Sequence, residues 1–304
     1  MFGKVMKYLI ILFLFLGACT NPAEKFLVSG NTKSESGDFK AAIADFNEAI
    51  RLDTFMIEAY ASRGNTRMKM KDYKGAIRDF NRVVDLNPES AAGFLSRALA
   101  NHESGNYGRA VNDYDKAIMI SPGNAQAYFN RGNSKSYTKD FAGAIEDYSK
   151  AANLDPKYAE AIYNRGLARC NTGEFDKAVA DFDLAINLKA NYLEAYINRG
   201  AARYRLGDFS GAIQDYDRVI SADPGNQASY MNRGAAKGKM KDYQGAIADF
   251  TKVLEANPKD GSALNNRALM RKESGDHNGA CADWEKAMNL GNGAGRENFL
   301  KNCK

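Results

Sequence analysis

The sequence contains few of the residues that build metal centres and catalytic sites. It has two histidines and four cysteines among 304 residues. His102 and His277 are far apart, and neither has a second ligand at a spacing such as His-x-x-x-His or Cys-x-x-Cys. A phosphate-binding loop, a nucleophile elbow and a dinucleotide-binding glycine motif are also missing. We therefore expect no metal, no cofactor, no small-molecule substrate and no enzymatic activity.

The sequence also lacks a large excess of charge of one sign. Its 42 basic and 37 acidic residues give a net charge of +5. Residues 1–18 contribute Lys4 and Lys7 and no acid, so the rest of the chain carries 40 basic and 37 acidic residues. The charges are spread along the chain instead of forming a basic run, which is not the pattern of a nucleic-acid-binding protein. We expect protein or peptide partners and no nucleic acid.

One apolar run stands out, from Tyr8 to Leu16, and it follows Lys4 and Lys7. It is too short for a membrane-spanning helix, which needs about 20 residues. The pattern predicts a signal peptide over residues 1–18. The sequence Leu-Gly-Ala-Cys ending at Cys19 resembles the bacterial lipobox, which implies cleavage before Cys19 and attachment of lipid, including palmitate, to it. An ordinary signal peptide with an incidental cysteine is the alternative.

Residues 19–22 would then form a short lipidated tether. Thr20 follows the cysteine where an aspartate would be a retention signal in lipoproteins of the Gram-negative type, so the resemblance implies sorting to the outer membrane. We expect the protein to be lipid-anchored in the bacterial cell envelope.

The rest of the chain repeats every 34 residues. An alanine and an aromatic residue four positions later recur in phase eight times, and proline ends five of the repeats. The alanines are Ala42, Ala76, Ala110, Ala144, Ala178, Ala212, Ala246 and Ala280. The aromatics are Phe46, Phe80, Tyr114, Tyr148, Phe182, Tyr216, Phe250 and Trp284. The repeats are 23–56, 57–90, 91–124, 125–158, 159–192, 193–226, 227–260 and 261–294.

Each repeat predicts two helices, because its apolar residues recur at spacings of three and four. Glycine or alanine at the eighth and twentieth positions lets the two helices approach closely, and the aromatic ring is expected to fill the space between neighbouring repeats. Proline then ends the second helix.

These features resemble the tetratricopeptide repeat: a small residue in the first helix, Ala-x-x-x-aromatic in the second, and a proline at the exit. Arginine replaces the leucine that the family usually has beside its glycine, and Thr54, Ala190 and Asn292 replace the closing proline. The resemblance implies an all-α fold, a right-handed superhelical α-solenoid of eight helical hairpins with a C-terminal capping helix over residues 295–304. It implies little about function, since this scaffold serves many partners.

Seven repeats carry an arginine at the seventh position and an aspartate 16 residues later. A catalytic carboxylate would not be needed in every repeat, so we predict structural ion pairs. Because Asp45 occupies the same position in the first repeat, pairing within a repeat and pairing with the following repeat are both open. The residues are Arg63, Asp79, Arg97, Asp113, Arg131, Asp147, Arg165, Asp181, Arg199, Asp215, Arg233, Asp249, Arg267 and Asp283.

The sixth position holds asparagine in five successive repeats, and we call this set the asparagine ladder. It lies about 200° round the helix from the apolar fourth position. In the family the first helices line a concave groove, and an amide both donates to and accepts from a peptide backbone. The alternative is that these amides bond to neighbouring helices or are inherited by repeat duplication. The members are Asn130, Asn164, Asn198, Asn232 and Asn266.

Three cysteines remain besides Cys19. Cys170 is alone on a first helix, where a cysteine is more often a packing residue than a nucleophile. Cys281 and Cys303 lie on the last repeat and on the terminal helix, in a chain with an export signal, and disulfides persist outside the cytosol. A disulfide and two free thiols are both open, because geometry decides between them.

Two functional hypotheses follow. The first is a non-enzymatic scaffold, anchored to the envelope, that binds a protein or an extended peptide in a concave groove. The alternative is a structural assembly factor of an outer-membrane or surface machine, in the manner of tetratricopeptide lipoproteins that serve barrel assembly or pilus formation.

Overall fold

We describe residues 21–303 from a computed structural model of the chain, and every regular element among them is an α-helix. Residues 1–18, predicted as a signal peptide, and Cys19 lie outside the described residues. The chain divides into two compact units, residues 1–139 and 140–304. The first unit contains α1 (Pro22–Glu35), α2 (Phe39–Leu52), α3 (Ile57–Lys69), α4 (Tyr73–Leu86), α5 (Ala91–Glu103), α6 (Tyr107–Ile120) and α7 (Ala125–Tyr137).

The second unit contains ten helices. They are α8 (Phe141–Leu154), α9 (Ala159–Thr172), α10 (Phe175–Leu188), α11 (Leu193–Leu206), α12 (Phe209–Ala222), α13 (Gln227–Lys239), α14 (Tyr243–Ala256), α15 (Gly261–Glu273), α16 (His277–Asn289) and α17 (Gly293–Asn302). In each unit, consecutive helices pack against one another as hairpins, and each hairpin packs on the next. The prediction of an all-α fold of repeated helical hairpins is confirmed. The predicted repeat 125–158 supplies α7 to the first unit and α8 to the second.

A left-handed residue and a capping aspartate shape the turn inside a hairpin. In the sixth repeat, Gly207 has a φ of 85°, and the Asp208 carboxylate accepts a hydrogen bond from the backbone N–H of Gly211 at 2.9 Å. This bond satisfies one of the free donors at the start of α12. Lys71, Lys139 and Lys241 hold the equivalent left-handed position with φ of 60°, 64° and 64°. A left-handed backbone conformation is less favourable in free energy for lysine than for glycine.

The aromatic ring of the second helix lies directly on the small residue of the first helix in its own repeat. A Cβ added to Gly64 would lie 2.6 Å from a ring carbon of Phe80, so this ring position requires glycine at residue 64. In the third and eighth repeats Ala98 and Ala268 take this place beside Tyr114 and Trp284. The sequence predicts instead that the aromatic ring fills the space between neighbouring repeats. The ring reaches that space as well, because Phe80 shares an apolar cluster with Ala100 of the following repeat.

The repeated aspartate is buried from the second repeat onward, and in five repeats two cations of its own hairpin bind it. In the third repeat the amide of Asn101 replaces the second cation and donates to Asp113 at 3.1 Å. Asp181 is 1% exposed. Nη2 of Arg165 donates to it at 2.6 Å, and Nη1 of Arg169 donates to its other oxygen at 2.7 Å. The pairing therefore runs within a repeat, which decides between the two registers that the sequence leaves open. The same arginine–aspartate contact joins Arg63 with Asp79, Arg97 with Asp113, Arg199 with Asp215, Arg233 with Asp249, and Arg267 with Asp283. Arg131 lies on α7 and Asp147 on α8.

Each of these arginines also reaches back to the preceding repeat. Nη1 of Arg199 donates to Asp183 on α10 at 2.5 Å, while its other nitrogens hold Asp215 on α12. The acceptor at this position changes from repeat to repeat. It is Asn47 for Arg63, Asn81 for Arg97, Asp115 for Arg131, Ser149 for Arg165, Asp217 for Arg233 and Thr251 for Arg267. One guanidinium thus connects three helices, and the resulting links run from hairpin to hairpin in each unit.

The sequence analysis did not identify the second cation, although it also recurs every 34 residues except in the third repeat, which has Asn101 at this position. It stands four residues after the arginine, one helical turn away, on the same side of the first helix. Four of its members pair with the buried aspartate of their repeat: Arg67, Arg169, Arg203 and Arg271. Lys237 pairs with Asp249, and Lys33 pairs with Asp45 in the first repeat.

The C-terminal helix covers the end of the second unit. It begins at Gly293, two residues before the predicted start, and packs on α16 and α15. Phe299 contacts the cluster of Ala268, Ala280 and Trp284, and Nδ2 of Asn298 donates to Asn265 at 3.0 Å. A disulfide joins Cys281 on α16 to Cys303, with Cα atoms 5.7 Å apart. The last repeat is therefore closed by packing, a hydrogen bond and a covalent link.

We predict that Arg165→Ala lowers the stability of the protein. The change leaves the buried carboxylate of Asp181 with one cation instead of two, which should cost about 1–3 kcal/mol. Urea denaturation followed by circular dichroism measures the effect. Arg218→Ala is the matched control, because Arg218 is exposed on α12 and makes no ion pair in the described structure. Equal urea midpoints for the two variants would refute a structural role.

We also predict that the Cys281–Cys303 bridge forms when the protein is exported to an oxidising compartment. Peptide mapping under non-reducing conditions should recover the two cysteines in one linked fragment. The bridge closes a loop across a separation of 22 residues, so Cys303→Ser should cost about 3 kcal/mol in the loop-entropy model. Cys170→Ser serves as the control and should keep the wild-type response to reductant. Recovery of free thiols at both positions would show that the bridge does not form.

Candidate peptide-binding surface

The asparagine ladder occupies the same place on successive first helices. Asn130 lies on α7 of the first unit, and Asn164, Asn198, Asn232 and Asn266 lie on α9, α11, α13 and α15 of the second. All five side chains are half-buried. In the second unit each of these four helices contacts the next one in the series. One amide per helix therefore lies along a continuous row of neighbouring helices.

Asn198 is held in place by two acceptors. Its Nδ2 donates to the Tyr163 hydroxyl on α9 at 2.8 Å and to the backbone oxygen of Glu194 at 2.8 Å. Burial raises the pKa of Tyr163, and the Glu194 carboxylate raises it further, so this hydroxyl stays protonated at neutral pH. Its proton and the amide oxygen of Asn198 remain hydrogen-bonding groups for a ligand. At this position a bond to a neighbouring helix and a contact with a ligand are compatible.

The other members differ in their local bonding. Oδ1 of Asn130 accepts from Gln126 at 2.9 Å, and Oδ1 of Asn266 accepts a long bond from Asn265 at 3.5 Å. Asn232 makes no side-chain hydrogen bond within the described residues. The scaffold does not use the ladder in one repeated way, unlike the arginine–aspartate contacts, which recur with the same geometry.

A cavity of about 550 Å³ opens beside Asn266 in the second unit. This volume falls in the range of small-ligand pockets, roughly 300–1,000 Å³. Its walls mix rings and aliphatic side chains with three exposed charges. They are formed by Tyr204, Ala235, Gly238, Lys239, Lys241, Tyr243, Phe250, Asn266, Leu269, Met270 and Glu273. No sequence motif pointed to this cavity.

The structure also shows the surroundings of the other residues that could act as a nucleophile or as metal ligands. Cys170 is half-buried on α9, and burial raises the pKa of its thiol, which disfavours the reactive thiolate. Between residues 21 and 303, no three side chains of the types histidine, cysteine, aspartate or glutamate come together as metal ligands. Within the same residues, none of the helices combines the length and the apolar character that a membrane span requires.

Models of the tetratricopeptide repeat match most of the repeats. The model described as TPR repeat matches residues 100–135 and 138–173. A second model, described as tetratricopeptide repeat, matches residues 57–90, 193–226 and 228–260. A third model with the same description matches residues 26–54 and 159–192. Together these matches span more than half of the chain. A comparison with curated proteins returns no match.

Solved structures of tetratricopeptide repeat proteins share the fold. The C-terminal part of a TPR repeat-containing protein from Cytophaga hutchinsonii has a TM-score of 0.69 at 18% identity, over 79% of this chain and 98% of that chain. YrrB, described as a TPR protein with an unusual peptide-binding site, has a TM-score of 0.56 at 22% identity, over 61% of this chain and 95% of that chain. A MamA structure has a TM-score of 0.52 at 26% identity, over 54% of this chain and 96% of that chain.

The 34-residue period, the helical hairpins, the glycine–ring contacts and these matches agree with one another. The chain belongs to the tetratricopeptide repeat family.

Proposed function

We propose that this protein is a non-enzymatic interaction scaffold that binds an extended protein segment along its first helices. The observation that carries the proposal is the row of amides on α9, α11, α13 and α15. A side-chain amide offers two donors and an acceptor, which complement the alternating N–H and C=O groups of a peptide backbone. YrrB, which shares the fold, is described as having a peptide-binding site, and this description supports the proposal.

The polar groups of the scaffold divide into two sets. The arginines and aspartates of the repeats are turned toward one another, and six of the seven aspartates are no more than 3% exposed. The amides are half-buried, and Asn232 has no partner of its own within the described residues. A protein that needed these amides only for folding would bond them uniformly, as it bonds the arginines. Their uneven bonding favours contact with a partner.

We further propose that the scaffold is attached to the bacterial envelope through lipid on Cys19. The support is in the sequence alone: basic residues, a short apolar run, and the Leu-Gly-Ala-Cys junction. Attachment by a lipid would place the repeats near the membrane without a spanning helix. Sorting to the outer membrane is part of this proposal.

The binding role predicts a defined effect of truncating the ladder. Replacing Asn164, Asn198 and Asn232 together with alanine should weaken partner capture at least tenfold, at about 0.5–1.5 kcal/mol for each lost hydrogen bond. Capture from solubilised membranes with quantitative mass spectrometry measures the change. Helicity and the melting midpoint should stay near the wild-type values. A single substitution would give a smaller change, so the triple variant is the informative one.

The control replaces three exposed asparagines of the same unit, Asn153, Asn187 and Asn191, with alanine. It should leave capture unchanged. If the ladder variant loses its fold together with binding, the amides serve the scaffold. If its capture equals that of the control, the partner does not use the ladder. Recovery of one complete assembly at fixed stoichiometry would favour the assembly-factor function over a general scaffold.

The anchoring proposal predicts that a fatty-acid analogue labels the wild-type protein in cells and does not label Cys19→Ala. The loss follows because the thiol of Cys19 is the only attachment point that the junction provides. Cys170→Ala keeps the junction and removes a different thiol, so it should label like the wild type. Labelling that survives in Cys19→Ala would contradict the proposal.

A further inference from the structure

The cavity in the second unit lies beside Gly238, which stands where the other repeats have a residue with a side chain. In the third repeat, the His102 ring lies edge-on against Tyr107, with centroids 5.2 Å apart. In the sixth repeat, Tyr204 lies in the same manner against Phe209, also at 5.2 Å. These pairs occupy equivalent positions. A ring late in the first helix covers the ring that opens the second.

The seventh repeat has the second ring, Tyr243, and has Gly238 where the covering ring would stand. Tyr243 therefore forms part of the cavity wall. A Cβ at Gly238 would lie 2.6 Å from the sulfur of Met270, so this methionine already occupies the place where a covering side chain would begin and would have to move for one. A methionine side chain is flexible and packs favourably against aromatic rings. The wall thus offers a ring and an adaptable thioether to an aromatic group.

The rim of the cavity carries unpaired positive charge. Lys239 and Lys241 are exposed and make no ion pair within the described structure, in contrast to Lys237, which is bound to Asp249. Glu273 is the one acid among the lining residues, so the lining carries a net positive charge. Lys241 also holds a left-handed backbone at φ 64°, where five other repeats have glycine. Lys71 and Lys139 hold the same conformation at the equivalent turns, so the position beside the cavity, and not the backbone, distinguishes Lys241.

We propose that this cavity binds an aromatic side chain of an acidic peptide. The aromatic ring would pack against Tyr243 as Tyr204 packs against Phe209, and carboxylates beside it would face Lys239 and Lys241. Asn266 borders the cavity and belongs to the ladder, so the same peptide would continue along the row of amides. The inference rests on the proposed scaffold function and names the chemistry of the segment that the scaffold binds.

Fluorescence anisotropy with a labelled peptide of sequence Asp-Glu-Asp-Phe-Asp-Glu-Asp tests the proposal on the full chain. The wild type should bind it about tenfold more tightly than the same peptide with alanine in place of phenylalanine, through the ring contact and the apolar area it buries. Gly238→Tyr introduces the covering ring that the sixth repeat already has, and it should remove this preference. Tyr243→Leu keeps apolar volume without the ring and should reduce the preference too, so the test does not depend on one variant folding.

A matched pair of lysine variants tests the contribution of positive charge to peptide binding. Lys241→Gly introduces the residue that five other repeats carry at this position and should weaken binding several-fold at low salt, with less effect at high salt. Lys71→Gly makes the same change at the equivalent turn of the first unit and should bind like the wild type.

Equal affinity for the phenylalanine and alanine peptides, or no effect of Gly238→Tyr in a folded protein, would overturn the proposal. So would binding of N-acetylphenylalanine as tight as that of the peptide, since the cavity would then be a small-molecule site. If neither peptide binds while the ladder variant still loses partner capture, the cavity inference fails and the proposed scaffold function stands.

Discussion

The buried aspartate of each repeat is the constraint on which the rest of the structure depends. A carboxylate such as that of Asp181 cannot leave water without compensation, because an unpaired buried charge costs several kcal/mol. Arg165 and Arg169 supply that compensation from the first helix of the same hairpin. The charge therefore fixes the rotation of both helices about their axes. Apolar packing alone would tolerate a range of rotations, whereas a carboxylate held from both sides by guanidinium groups selects one.

The same arginine also links one hairpin to the preceding one by a hydrogen bond. Arg165 reaches Ser149 in the preceding repeat while it holds Asp181 in its own. A helical hairpin of 34 residues is too small to be stable alone, and repeat proteins gain their stability from the interfaces between neighbours. The interfaces here combine apolar contact with a directional hydrogen bond, which sets the register of stacking. After α16, helix α17 and the disulfide cysteine Cys303 pack against the cluster that contains Trp284.

The period in the sequence was sufficient to predict the helices and the arginine–aspartate set, because the residues at the positions of Ala178 and Asp181 recur unchanged and the position of Phe182 is always aromatic. It could not decide the pairing register, because the relative rotation of two helices is not readable from spacing. It also concealed the acceptors of the preceding repeat, since Asn81, Ser149 and Asp183 differ in type while sharing a role. The sequence did not predict the cavity for another reason: its lining residues come from α11, α13, α14, α15 and the turn between α13 and α14, and they form no motif along the chain.

The contrast between the two kinds of lysine indicates where this scaffold acts. Lys237 lies within the repeated network and is bound to Asp249, so its charge is used by the fold. Lys239, two residues later on the same helix, and Lys241 in the following turn are exposed without partners. Exposed lysines are common and mean little one at a time. These two border the cavity beside Gly238, next to the ring of Tyr243. An acidic segment with an aromatic side chain needs free positive charge beside an accessible ring. Lys239, Lys241 and Tyr243 provide both.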